Sequence, residues 1–307
     1  MNNEQSRQFS DCSLFIANYS LFSRRELMTT ATKGKITDVH ELKKVAKKIR
    51  LHILHMLTRA GSGHTGGSLS ATDAAVAIYF SKMNFDPKKP LWKERDRFIL
   101  SKGHAAPLLY AIMAEAGYFP LDVLDHLRKV ESPLQGHPCC TSISGIEVST
   151  GSLGQGLSVS NGIALGLRLD NNPARVYCIM GDGELQEGQV WEAAMTAAHY
   201  KIDHLCAVVD SNGLQIDGPV QKVMGVAPLH DKWAAFGWHV IDINGHNMEQ
   251  ILTALDEAEK TKGKPTVIIA NTTKGKGVSF FEDKVEYHGV APSLDEYERA
   301  IKEIHNG

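Results

Sequence analysis

Between residues 38 and 61, apolar positions recur at spacings of three and four: Leu42, Val45, Ile49, Ile53 and Met56. Lys43, Lys44, Lys47 and Lys48 occupy the other face. This pattern predicts an amphipathic helix, capped by Asp38 and ended by Gly61, with its lysines in solvent. Farther on the period changes. The runs 98–100, 175–180, 204–210, 238–243 and 265–272 are short and apolar, as buried strands are. Helical stretches lie between or after them, at 108–115, 187–200, 233–236, 247–260 and 294–304. Strands alternating with helices predict an α/β protein, a parallel sheet with helices on both faces. Ser70 and Asp73 have the spacing of a capping box, which predicts a helix start near Ala71. The stretch STGSLGQGLSVSNGIALGLRL enters a helix whose Gly156, Ser160, Gly162 and Gly166 permit close approach of another element or subunit.

Composition narrows the picture. The chain has 307 residues, 43% hydrophobic and 22% charged, enough for a sizeable core. Its net charge of −2 gives no bulk attraction to nucleic acid or membrane. No apolar run approaches the ~20 residues that span a bilayer. The stretch CSLFIANYSLF is short, broken by Asn18, and preceded by Glu4 and Asp11 rather than a basic cluster, so it does not read as a signal peptide. The organised chain is expected to begin near Asp38, with 1–37 a poorly packed extension and 38–307 one domain. The five cysteines, Cys12, Cys139, Cys140, Cys178 and Cys206, are odd in number and form no C-x-x-C. They read as reduced thiols of a cytoplasmic protein.

Candidate chemistry sits at two strand ends. Gly181-Asp182-Gly183 follows the run 175–180, and Asn212-Gly213 follows the run 204–210. Parallel strands put their carboxyl ends on one edge, where ligands bind. A carboxylate, an amide oxygen and a nearby backbone carbonyl suit a hard cation such as Mg²⁺, which fills its remaining positions with phosphate oxygens and water. Gly181 and Gly183 let backbone N–H groups approach a diphosphate closely. Either motif alone is a turn signal. Together on one βαβ unit they point to a Mg²⁺–diphosphate site.

Asp182, followed thirty positions on by Asn212, resembles the thiamine-diphosphate motif, and GDGELQEG with DSNGLQIDG is similar to the transketolase version of it. GSGHTGG, SKGHAAPLLY, GHP, STGSLGQG and a His-Gly at 288–289 occur in transketolase order, so the resemblance runs from about Asp38 to the C-terminus. It implies the thiamine diphosphate-binding (PP domain) fold. It makes Asp182, Asn212 and the carbonyl of Leu214 ligands of Mg²⁺, with Gly181 and Gly183 at the diphosphate. Gly151 and Leu153 would hold the aminopyrimidine, and Ile216 would keep the cofactor bent. Glu187 would join an acid network at a dimer interface. His64, His104, His137 and His288 match the active-site histidines: His64 and His288 by the reacting oxygen, His137 at the donor's terminal hydroxyl, His104 against the cofactor. Imidazole suits proton transfer near neutral pH.

The remaining histidines, His52 and His55 included, read as packing or surface residues, and no ligand set has zinc spacing. Lys274 and Lys276, in NTTKGKG, belong either near phosphate or to a solvated turn. Thr65 stands where many relatives have Pro, and Pro138-Cys139-Cys140 adjoins His137. In the family, the glutamate that activates the cofactor and the arginines that grip the sugar phosphate lie on a pyrimidine-binding domain. No second α/β unit of that kind is found here. The resemblance therefore implies the N-terminal subunit of a split transketolase, acting on sugar phosphates in a heterotetramer with a C-terminal subunit that carries the pyrimidine domain. The rivals are the α subunit of a 2-oxo-acid dehydrogenase, a deoxyxylulose-phosphate-synthase-like enzyme and a non-catalytic interaction subunit. The four histidines with TGSLGQG argue against the first, chain length against the second, and the intact ligand set against the third.

Overall fold

A computed structural model of the chain describes residues 34–306. The expected extension over 1–37 thus falls almost wholly outside the described residues. Five strands carry the fold: β1 (Arg97–Leu100), β2 (Val176–Gly181), β3 (Leu205–Ser211), β6 (His239–Asn244) and β7 (Thr266–Asn271). Leu214–Gln215 (β4) and Gly218–Pro219 (β5) form a small antiparallel ribbon. The five pair in the order β1-β2-β3-β7-β6, and every pairing is parallel. Gly181 lies beside Asp210, and Asn271 beside both Ser211 and Asn244. The carboxyl ends of the strands therefore form one edge.

The central strands are near-continuous apolar runs because both of their faces are covered. Val176, Cys178 and Met180 of β2 and Val209 of β3 share a core with residues of α5 (Gln155–Leu169) and α6 (Gly188–His199), closed by Trp233 and Trp238. Tyr177 points to the opposite face, as the pleat requires, and its hydroxyl reaches Glu259 of α8 (Met248–Lys260). Helix α1 (Val39–Ala60) has the expected ends: Asp38 accepts from the Glu41 N–H, and Gly61 closes the helix at φ 64°. Lys43 and Lys44 are exposed on its outer face, and the expected core positions are buried.

Some boundaries move. The helix expected to begin near Ala71 is instead a pair, α2 (Gly66–Ser70) and α3 (Thr72–Ala77). Ser70 and Asp73 make no capping box. The Ser70 hydroxyl donates to Asp210 at 2.6 Å. Asp73 receives both arms of the Arg50 guanidinium, at 3.0 and 2.7 Å, and Nδ1 of His246 at 2.8 Å. Both side chains are buried, and a buried charge bound to a guanidinium outweighs a local cap. The helix expected over 108–115 begins two residues earlier, as α4 (Ala106–Glu115), with Pro107 in its first turn. Likewise α6 begins at Gly188, because residues 183–186 form a separate 3₁₀ turn. The stretch expected over 233–236 is the last turn of a longer helix, Leu229–Ala235 (α7).

The small residues of α5 separate into two groups. A Cβ on Gly156 would sit 2.3 Å from the Ser101 side chain, whereas one on Gly162 or Gly166 would meet nothing within 4 Å. Among the described residues, then, close approach occurs at Gly156 alone of these three. Gly156→Ala is expected to destabilise the isolated chain by about 1–3 kcal/mol through overpacking. Gly162→Ala should stabilise it by about 0.5–1 kcal/mol through helix propensity. Urea unfolding of both variants checks this contrast, and shifts of the same sign would refute it.

Candidate active site

The edge formed by the carboxyl ends of the strands carries the candidate residues. Asp182 follows β2 and is 4% exposed. Its carboxylate accepts from the N–H of Gly183 at 2.8 Å and of Gly213 at 2.6 Å. Gly213 stands between Asn212 and Leu214, so this bond brings the carboxylate to both. Burial, with the neighbouring Asp210, pushes the Asp182 carboxyl up to about 6 against the two N–H groups. The Asn212 side chain accepts from the Leu214 N–H at 3.2 Å and donates to Asp210 at 3.0 Å. The Leu214 carbonyl accepts from the Lys274 ammonium at 2.8 Å. All three donors are oxygens, and a cationic group already rests on the carbonyl. The set fits a hard divalent ion with phosphate. A Cβ on Gly183 would stand 3.2 Å from the Gln215 Cβ, so the backbone approach there depends on glycine.

Beneath this set lies a layer that sequence motifs did not single out. Asp210 and Lys102 form an ion pair, each 1% exposed. Lys102 also donates to the Gly67 carbonyl at 2.8 Å, while Ser70 and Thr272 donate to Asp210. Burial opposes the Asp210 charge, but Lys102 and the hydroxyls outweigh it and hold its carboxyl low. Glu184 is buried as well and accepts from Ser101, from the Gly154 N–H at 2.9 Å and from the Gly181 N–H at 3.0 Å. One carboxylate thus ties together the loops of SKGH, STGSLGQG and GDG. The signal in the sequence was their strand-end position; Ser101 and Glu184 lie 83 positions apart and Lys102 and Asp210 lie 108 apart, beyond any local pattern.

Three of the four histidines gather. Ring centroids are 5.0 Å apart for His64 and His104, 5.6 Å for His64 and His288, and 5.4 Å for His104 and His288. The Thr65 hydroxyl donates to the Val290 carbonyl at 2.7 Å and so links the segments that carry His64 and His288. His137 is more exposed, packed over Gly151, where a Cβ would stand 3.1 Å from its ring. Burial is the first cause that lowers all four. It takes His64 to about 4 with help from Arg128, His104 to about 2 with Lys102, and His288 to about 3 with Lys274; His137 is also lowered. These imidazoles are therefore neutral near pH 7.

The two lysines of NTTKGKG have different fates. Lys274 is 2% exposed and bonds Leu214 and, at 2.8 Å, Nδ1 of His288. Lys276 pairs with Glu282 in partial exposure. Leu153 is half-buried, and Ile216 is 63% exposed on the ribbon turn beside Leu214. Glu187 is exposed at the start of α6 and packs over Gly154. His52 and His55 bond Glu115 and Asp125, at 2.7 and 2.6 Å, as packing residues.

Residues 41–305 match the family model described as the transketolase thiamine diphosphate binding domain. The chain belongs to the transketolase family. It is 46% identical over 264 residues to a 6-deoxy-6-sulfo-D-fructose transketolase subunit of Clostridium sp. (strain MSTE9), covering 86% of this chain and 96% of that one. It is 41% identical to an apulose-4-phosphate transketolase subunit of Phocaeicola vulgatus, covering 87% and 94%. Among solved structures, Campylobacter jejuni transketolase superposes with a TM-score of 0.83 at 32% identity, over 88% of this chain and 43% of that one. The chain thus spans subunit-length relatives almost entirely and about two fifths of the solved transketolases it matches.

For this transketolase-family chain, Asp210→Ala should cost about 3–5 kcal/mol, because it strands the buried Lys102 ammonium. Denaturant titration checks it, and a loss under about 1 kcal/mol would contradict the account. The histidines set a pH dependence. Unfolded, they take a proton near 6.5; folded, His64 stays neutral to about 4 and the other two of the cluster lower still. The unfolded state binds more protons in that window, so stability falls as pH drops from 6.5 towards 4. In His64→Asn the fall should be shallower, read from unfolding midpoints across pH.

Proposed function

We propose that this chain is the N-terminal, diphosphate-binding subunit of a two-chain transketolase that moves a two-carbon ketol unit from a ketose phosphate to an aldose phosphate. The observation that carries this reading is the joint placement of the histidine cluster and the Asp182–Asn212–Leu214 donor set on one sheet edge. The partner would be a separate C-terminal chain with the pyrimidine domain, two of each forming a heterotetramer. The subunit names and nearly full coverage of the Clostridium and Phocaeicola relatives support it. Those names also specify ketoses with an anionic group, a sulfonate in one and a phosphate in the other.

In this reading Asp182, Asn212 and the Leu214 carbonyl would hold Mg²⁺, with the diphosphate beside Gly181 and Gly183. Gly151, Leu153, Ile216 and His104 bound the rest of the cofactor, and Glu187 faces a neighbouring subunit. Bound thiamine diphosphate supplies the nucleophilic carbon that the side chains of this protein lack. The chain's own part is to orient the sugar and move protons. His64 and His288, neutral and side by side, can take a proton from a sugar hydroxyl and return it. His137 reaches the donor's terminal hydroxyl. A cytoplasmic setting belongs to this reading, supported by the free thiols of Cys139, Cys140, Cys178 and Cys206. Among the described residues no helix is long and apolar enough to cross a membrane.

The test is a two-carbon transfer assay with thiamine diphosphate and Mg²⁺, on the chain alone and with the product of the neighbouring gene. Activity should need both chains; activity from this chain alone would overturn the two-chain reading. In the assembly, Asp182→Ala should abolish Mg²⁺-dependent cofactor binding, measured by titration, and unchanged affinity would reject the metal role. His64→Ala should lower kcat by about 10²–10⁴-fold, the usual share of a proton-transferring group, while cofactor affinity holds.

A further inference from the structure

Two thiols stand on the loop that follows His137, and the transfer reaction as derived uses neither. Cys139 is half-buried, Cys140 is exposed, and both are free thiols. The loop is fastened on both sides. The Tyr110 hydroxyl, from α4, donates to the carbonyls of Gln135 and His137, at 2.9 and 3.1 Å. The Thr150 N–H donates to the Pro138 carbonyl at 3.2 Å, and the Cys140 N–H to the Ser149 hydroxyl at 3.1 Å. These bonds tie 138–140 to the STGSLGQG loop, whose Gly151 packs against the His137 ring.

A turn gathers hydrogen-bond donors around the Cys139 sulfur. The Ser142 N–H donates to the Cys139 carbonyl at 3.1 Å and folds the chain back on itself. Oγ1 of Thr141 then lies 3.1 Å from Sγ of Cys139, and the Ser142 and Ser149 hydroxyls reach the same sulfur. Donors of this kind stabilise a thiolate. The Ser142 and Thr141 hydroxyls, with the Thr141 N–H, hold the thiol down to about 6. The sulfur is near enough to Tyr110 for its charge to be felt there. Cys140 has a different setting: the Ser149 hydroxyl donates to its sulfur at 3.4 Å, and the side chain is otherwise open to solvent. Cys178 and Cys206 are buried in strands, and burial pushes both thiols up. Exposure alone thus favours Cys140 as the reactive thiol, whereas the donors favour Cys139.

We propose that Cys139 is a thiol-modification site at the rim of the histidine cluster, where it takes up low-molecular-weight disulfides and the adduct shuts His137 off from the sugar. The Cys139 thiolate attacks one sulfur of a disulfide R–S–S–R. The new S–S bond to Cys139 forms, the old S–S bond breaks, and R–S⁻ leaves with the electron pair and takes a proton from solvent. A free thiol reverses the exchange by the same chemistry. The fastenings of the loop leave it little play. A bulky R group therefore lies beside His137 or pushes its strip off Gly151. The modification itself stands apart from the reaction catalysed; only its effect on transfer rests on the transketolase reading.

The experiment treats the assembled two-chain enzyme with glutathione disulfide and locates the adduct by peptide mass spectrometry. Cys12 lies outside the described residues, so the parent assembly carries Cys12→Ser. At about pH 6 a thiol held near that value should exchange about tenfold faster than an ordinary one, after allowing for the weaker nucleophilicity of its thiolate. Cys140→Ser should therefore react within about twofold of the parent rate, and Cys139→Ser about tenfold more slowly. The adduct should lower kcat/KM for a ketose phosphate donor by about ten- to a hundredfold, as a misplaced contact does. Dithiothreitol should restore the parent value, and Cys139→Ser should keep its activity with or without the reagent. An adduct mainly on Cys140, or equal rates in the two variants, would overturn the proposal, because exposure would then set reactivity. Modified Cys139 with transfer unchanged, or Cys139→Ser inactive before treatment, would overturn it as well. A parent assembly that transfers no two-carbon unit would instead overturn the transketolase reading, and the position and rate of the adduct would still decide the modification site.

Discussion

The buried ion pair between Lys102 and Asp210 is the constraint on which the rest of the site depends. Taking both charges out of water costs several kcal/mol each, and the pair is tolerable only because nearly every lone pair and proton has a partner. Those partners come from four places: Ser70 and Gly67 of α2, Thr272 after β7, Asn212 after β3, and the turn after β1 that carries Lys102 itself. Meeting the electrostatic demand of one carboxylate thus brings four loops to fixed positions on the sheet edge. It also fixes the Asn212 amide. Asp210 only accepts, so the nitrogen of Asn212 must face it and the oxygen must turn towards Leu214 and Asp182. A candidate metal ligand is oriented by a charge that does not touch the metal position.

Glu184 works in the same way on the neighbouring loops. Its two oxygens collect Ser101, Gly154 and Gly181, and Ser101 in turn accepts the Gly156 N–H at 3.1 Å. The tight contact of Gly156 with Ser101 is what permits that relay. Steric and polar demands therefore meet at one point: a larger residue at 156 would push the STGSLGQG loop off the strand ends. Arg50, Asp73 and His246 repeat the arrangement at the far edge. The Thr273 N–H donates to Nε2 of His246 at 2.8 Å, so the ring proton must sit on Nδ1, facing Asp73. That network holds the loop from which Lys274 reaches Leu214.

Much of this was legible in the sequence, and the reasons for what was not are physical. The strands were readable because burial on both faces leaves apolar runs such as 175–180 without interruption. Helix α1 was readable because one face meets solvent and the period shows. Asp182, Asn212 and the histidines stood out because strand ends and glycines mark them and a family motif names them. Lys102, Asp210 and Glu184 also lie at strand ends, but nothing local marks their role, which is set by desolvation and by partners far away in the chain. The misplaced capping box has the same origin. Local spacing proposed a partnership for Ser70 and Asp73, and buried Asp210 and Arg50 took them instead. Gly162 and Gly166 show the reverse limit, for their spacing is real and no element among the described residues meets them.

The charges buried beneath the site are partnered within the chain. Asp210, Glu184, Lys102 and Asp73 are each saturated by groups of the same chain, which is how a buried charge must be treated if the fold is to survive without ligand. Among the described residues a few buried polar atoms lack a partner, at the site (Nδ1 of His64, Oγ1 of Thr150) and away from it (Nε1 of Trp233, Oγ1 of Thr266) alike, so it is the charged groups that show the demand most clearly. The histidines meet that demand by giving up their charge. Burial and the surrounding ammonium and guanidinium groups discharge them, and a neutral imidazole is able to accept a proton.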